Sequence, residues 1–154
     1  MIIKIKPLLI NVLIPVLLGL FIGFVVSFNM GAYEQLLKPA LTPPNWAFSL
    51  VWTALYVLMG VSAYMIQVSH SWTKNKALNL YRLQLLVNLC WPLIFFNLQL
   101  YLTAAIWLVA LIVLIVCMIL AFSKISPLAG WLQFPYLLWS IFALYLNISI
   151  CLLN

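Results

Sequence analysis

Side chains able to do acid–base, nucleophilic or metal chemistry are scarce in this sequence. Its 154 residues hold one acid, Glu34, one histidine, His70, and three cysteines, Cys90, Cys117 and Cys151. The cysteines lie within apolar segments and form no C-x-x-C pair, which fits a small apolar filler rather than a redox or metal site. No Ser/His/Asp set, metal cluster or phosphate loop can be assembled, so no catalytic residue, metal ligand or required cofactor is assigned. What remains is aromatic and amide. Phe48, Trp52 and Tyr56 recur at i, i+4 and i+8, and Asn88, Trp91 and Phe95 at i, i+3 and i+7. Tyr136, Trp139, Ala143 and Asn147 repeat the pattern. On helices, each set shares one face. Such stripes suit a packed core or an interfacial belt as well as a ligand cavity. Trp52, Trp91 and Trp139 sit several residues inside their segments, where a belt explains them less well than it explains Trp46 and Trp72.

The elements that position these stripes follow from composition. Hydrophobic residues make up 68% of the chain and charged residues 5%, with a mean hydropathy of +1.24. A soluble domain is typically about one-quarter charged, so this composition excludes one and implies an integral membrane protein. A membrane-spanning helix needs about 20 apolar residues. Five segments qualify, at about residues 7–28, 46–68, 78–98, 101–122 and 128–152. These runs are continuous and twice the length of a barrel strand, so the fold class is all-α, a single bundle of five transmembrane helices. The first run is too long for a signal-peptide core and no A-x-A site follows it, so it reads as a retained span. Pro15, Pro92 and Pro135 lie inside spans and are expected to kink or locally unwind them.

The connections carry further information. Residues 97–103 make a short uncharged link, which makes the third and fourth helices antiparallel neighbours. The longest connection, residues 29–45, holds Glu34 and is stiffened by Pro39, Pro43 and Pro44; it reads as a lid over a cavity in the bundle. Of seven basic residues, Lys4, Lys6, Lys74, Lys76, Arg82 and Lys124 gather on one side and only Lys38 lies on the other. The positive-inside rule then places the N-terminus in the cytoplasm of a multi-pass cell-membrane protein. The net charge of +6 flanks apolar segments, which points to lipid headgroups rather than nucleic acid. The near-absence of ionisable residues from the spans argues against a pump or an ion-coupled transporter. Gly19 and Gly23 form G-x-x-x-G, which serves either dimerisation or packing within the chain.

Three stretches carry a resemblance to a known family. They are KPALTPPNWAFSLVWTALYVLMGVSAY, LLVNLCWPLIFF and FPYLLWSIFALYLNISICLLN. In this order they resemble the K-P-x-W-x-P-P…W-x-x-L-Y, N-x-x-W-x-x-x-F-F and P-Y-x-x-W-x-x-F-A-x-x-L-N runs of the translocator protein family, also called tryptophan-rich sensory proteins or peripheral benzodiazepine receptors. The resemblance implies a five-helix bundle, a homodimer, and a cavity that binds porphyrins and other flat aromatic ligands. It carries Tyr33 and Pro43 into the site as lid residues, followed by Phe48, Trp52 and Tyr56. Asn88, Trp91 and Phe95 form a second wall, and Trp139 and Ala143 a third. It also raises light-dependent porphyrin breakdown as an alternative activity; a ligand-free scaffold, with the glycine stripe as its contact, is a third reading. Leu41 stands where the family usually has Trp, and no basic residue follows Tyr145, which removes the sterol motif of animal members.

Overall fold

Backbone amides in hydrocarbon have no water to bond, so long apolar runs close their hydrogen bonds internally as helices. The computed structural model describes residues 4–154. Its elements are α1 (Ile5–Ser27), α2 (Met30–Glu34), α3 (Asn45–Gln67), α4 (Lys74–Pro92), α5 (Tyr101–Ser123), α6 (Pro127–Trp131) and α7 (Phe134–Leu153). A π-helical turn, Leu93–Asn97, prolongs α4. There is no strand among the described residues. Five spans are long and apolar enough to cross a membrane: α1, α3, α4 with its π turn, α5, and α6 with α7. The protein is an all-α, multi-pass membrane bundle.

Local sequence explains the breaks. Pro92 has no N–H to give the preceding turn, and the helix widens to π spacing directly after it. At Pro135 the span unwinds instead of bending. This proline occupies the first turn of α7, where a missing N–H costs nothing. The fifth span is therefore two helices, separated at Leu132 and Gln133. The Ser126 hydroxyl caps α6 by accepting from the Ala129 N–H. The lid is also more ordered than a plain loop, because α2 forms its first turn.

Helices α4, α5 and α7 pack side by side, α6 lies against α3 and α5, and α1 packs chiefly on α3. The seam between α1 and α3 is set by glycine. A Cβ on Gly60 would strike the Asn11 carbonyl and the Val12 Cα, so the two backbones touch there. Nearby, the Lys4 N–H donates to the Tyr64 hydroxyl at 2.8 Å, and Asn11 Nδ2 donates to Gln67 Oε1. Further along, Gly19 leaves room only for the Tyr56 ring, and Gly23 has nothing within 4 Å. The helices thus meet tightly at the end rich in basic residues and separate toward the lid.

Gly60→Val drives a side chain into backbone that cannot swing aside. It is expected to destabilise the bundle by about 1–3 kcal/mol, read as a lower melting temperature of the purified protein, whereas Gly23→Ala leaves that temperature unchanged.

Candidate ligand cavity

Where α1 leaves α3, a cavity of about 550 Å³ opens between α1, α3, the end of α4 and the lid. Leu20, Gly23, Phe24 and Ser27 form its α1 wall, and Phe48, Ser49, Trp52, Thr53 and Tyr56 its α3 wall. Asn88, Trp91, Pro92 and Phe96 close the α4 side, and Met30 and Tyr33 cover the lid end. Phe24 and Trp46 line the cavity and are also mostly exposed, so it opens outward between α1 and α3. The back wall is a set of nearly parallel rings. Trp52 lies 5.9 Å from Tyr56 with a 30° tilt, and 6.3 Å from Trp91 with a 35° tilt. Tyr56 and Trp91 are buried, while Trp52 is half-buried.

One polar corner breaks this apolar lining. The Tyr56 hydroxyl donates to Asn88 Oδ1 at 2.7 Å. Asn88 Nδ2 donates to the Tyr136 hydroxyl at 2.8 Å, which in turn donates to Gln84 Oε1 at 2.8 Å. The chain joins α3, α4 and α7 through one amide. A second amide acts alike: Asn147 Oδ1 accepts from Trp91 Nε1 at 3.1 Å, and its Nδ2 donates to the Tyr101 carbonyl at 2.8 Å. The Trp91 indole is thereby fixed in plane. Two further hydroxyls turn to their own helices, Ser27 to the Phe24 carbonyl and Thr53 to that of Ser49. The cavity therefore offers π faces, with the Ser49 and Tyr33 hydroxyls and the Trp52 indole among its polar groups.

At the lid, Tyr33 is buried edge-on against Phe95 and Phe96, with centroids at 6.1 and 5.1 Å. The Lys38 ammonium lies 4.7 Å from the Tyr33 ring centre and donates to the Glu34 carbonyl. Burial pushes the Tyr33 phenol above its ordinary pKa, so it stays protonated.

Of the residues expected in the site, Tyr33, Phe48, Trp52, Tyr56, Asn88 and Trp91 line the cavity. Phe95 and Ala143 border a small satellite void behind it, which Tyr33, Phe48 and Trp91 share. Trp139 meets the site through Phe48, edge-on at 5.5 Å. Pro43 lines neither space. Gly19 and Gly23 lie on the α1 face turned to α3 and the cavity, Gly19 against the Tyr56 ring and Gly23 beside open space. The third wall of the main space is α1 rather than α7. Sequence reading passed over Leu20, Phe24 and Ser27 on that wall, and Ser49 and Thr53 opposite. A signal was available: Gly19, Gly23 and Ser27 form a small-residue stripe at i, i+4 and i+8.

Five apolar spans around an aromatic, lidded cavity define a class, the multi-pass helical membrane proteins with an internal pocket. The chain belongs within it to the TspO/MBR family, which residues 11–153 match. It is 39% identical over 125 residues to a tryptophan-rich protein TspO of Chlorobaculum tepidum, covering 79% of this chain and 78% of that one. It is 36% identical to the human translocator protein, with 84% and 80% covered. Identity to a tryptophan-rich sensory protein of Cereibacter sphaeroides is 34%, with 79% and 76% covered.

Asn88→Ala removes two interhelical hydrogen bonds and leaves the Tyr56 and Tyr136 hydroxyls short of partners. A loss of about 1–3 kcal/mol is expected, measured by denaturation in detergent. Arg82→Ala, which loses only an exposed bond to Asn79, is expected to cost little.

Proposed function

We propose that this protein binds porphyrins and similar flat aromatic molecules inside the bundle, as a membrane receptor or carrier. The observation that carries the reading is the aromatic cavity of about 550 Å³ beside the Tyr56–Trp52–Trp91 stack. Its volume falls within the roughly 300–1,000 Å³ typical of small-molecule sites. Trp52 presents a ring face to the space, its neighbours hold that face still, and apolar burial supplies most of the affinity. Lys38 stands at the lid end as the cation for ligand carboxylates. The family resemblance supports the ligand class and a homodimer. The charge asymmetry supports a cell-membrane location with the basic end cytoplasmic.

A second reading rests on ring spacing. Trp52 and Trp91 lie 6.3 Å apart, and Trp91 and Phe95 lie 5.6 Å apart. This ladder leads inward from the cavity: Trp52 would give an electron to an excited porphyrin and regain one from Trp91, while dioxygen would be the oxidant that breaks the macrocycle. Light-dependent breakdown then yields a new chromophore only with Trp52 and Trp91 in place; bleaching without a protein-dependent product removes this reading.

The test of binding is a protoporphyrin titration of the purified protein, followed by tryptophan fluorescence and porphyrin absorption. Saturation near one ligand per chain is expected. Trp52→Ala should weaken binding about tenfold, the effect of roughly 1.4 kcal/mol of lost stacking and burial. Trp72→Ala, at a side chain 91% exposed, should leave it unchanged. Equal effects from both, or quenching that never saturates, would remove the cavity from the account.

A further inference from the structure

The lid is held by two different devices, and only one of them belongs to the cavity. The first is burial of Tyr33 against Phe95 and Phe96. Beyond Tyr33 the lid turns Leu36 partly against the core and leaves its other leucines outward: Leu37 is 64% exposed and Leu41 is 67% exposed. The second device lies at Leu37. Its N–H donates to Asn154 Oδ1 at 3.0 Å, and its carbonyl accepts from Asn154 Nδ2 at 3.0 Å. The carboxamide reads both backbone groups of one residue, as a neighbouring strand would. It is held in place by its own helix, since Nδ2 also donates to the Ile150 carbonyl at 2.9 Å. Among the described residues, these are the only hydrogen bonds between residues 35–43 and a segment distant in the chain. The other bonds of that stretch are local, as with Thr42 to the Pro39 carbonyl.

We propose that Asn154 is a positioning residue that latches the lid across the cavity and thereby sets how fast a ligand enters and leaves. Leu37 lies four residues, about one helical turn, beyond Tyr33. Holding the Leu37 backbone on the end of α7 keeps Tyr33 over both the cavity and the satellite void it lines. Asparagine suits this task. It donates and accepts at once, on a stem short enough to stay rigid, and carries no charge to be desolvated. Aspartate would keep the bond from the Leu37 N–H and lose the one to its carbonyl. An aliphatic side chain would lose both. The latch touches no cavity-lining ring, so releasing it changes the rates of exchange more than the affinity of the closed state.

The kinetic half of this inference rests on the binding reading above; the structural half does not. The experiment uses the full chain in detergent, with Asn154→Ala and Asn154→Asp beside the unaltered protein. Hydrogen–deuterium exchange reports the lid backbone without ligand, and stopped-flow quenching with protoporphyrin reports association and dissociation. Asn154→Ala is expected to speed exchange of the Leu37 amide and its lid neighbours. It should raise both ligand rate constants about tenfold, the loss of two modest hydrogen bonds, with the dissociation constant changed less than threefold. Asn154→Asp should fall between. The melting temperature should stay put, since the side chain is at the surface. Unchanged lid exchange in Asn154→Ala overturns the latch. Faster lid exchange with unaltered ligand rates overturns its control of access. Absence of saturable binding in the unaltered protein is the separate failure of the cavity reading, and lid exchange still decides the latch.

Discussion

An amide buried among apolar helices must find its partners on the helices beside it, because the bilayer supplies none. Asn88 meets this constraint by bonding Tyr56 on α3 and Tyr136 on α7. The consequence spreads outward. With both tyrosines fixed, Trp52 lies 6.3 Å from the Tyr136 ring, edge-on, and tilts against Tyr56. Asn147 does the same for Trp91. The aromatic wall is rigid because two carboxamides hold its edges, not because its rings are large. Helix α3 and helix α7 face each other largely through these side chains and the Phe48–Trp139 contact, so removing the amides would loosen the seam the cavity rests on.

The backbone supplies the second condition. A cavity in a bundle needs helices that are bound at one end and apart at the other. Gly60 brings α1 and α3 into backbone contact, and Pro15 is buried on α1 between that point and the cavity. With Tyr56 filling the space at Gly19, the two helices diverge beyond it. Close contact and open space are thus made by the same pair of elements, one glycine apart.

Sequence periodicity shows which residues share a helix face, and here it did so well for α3 and α4. Phe48, Trp52 and Tyr56 do share a wall, and Asn88 and Trp91 adjoin it. Periodicity does not show which helices are neighbours across a space. The α7 stripe was therefore given the third wall, although Tyr136 and Asn147 serve as bracing and Ala143 borders only the satellite void. Helix α1 is hard to read for a physical reason: it is apolar on nearly every face, and a lone asparagine, Asn11, marks the side that meets α3. The small-residue stripe continues the same face from Asn11 in steps of four, and such a stripe fits a helix contact equally well.

The π-helical turn at Leu93–Asn97 has a consequence for how this chain tolerates change. A π turn amounts to one extra residue accommodated in an α-helix. Beyond it, every side chain is rotated by about 100° relative to an uninterrupted α-helix. Phe95 and Phe96 both reach Tyr33 from within this turn. Deleting one residue here would restore ordinary helix geometry and cost the backbone little. It would also swing the chain that follows to a different azimuth, carrying Leu98, the left-handed Gln99 and the start of α5 with it. The direction in which the chain leaves α4 beneath the lid is thus tied to a single surplus residue.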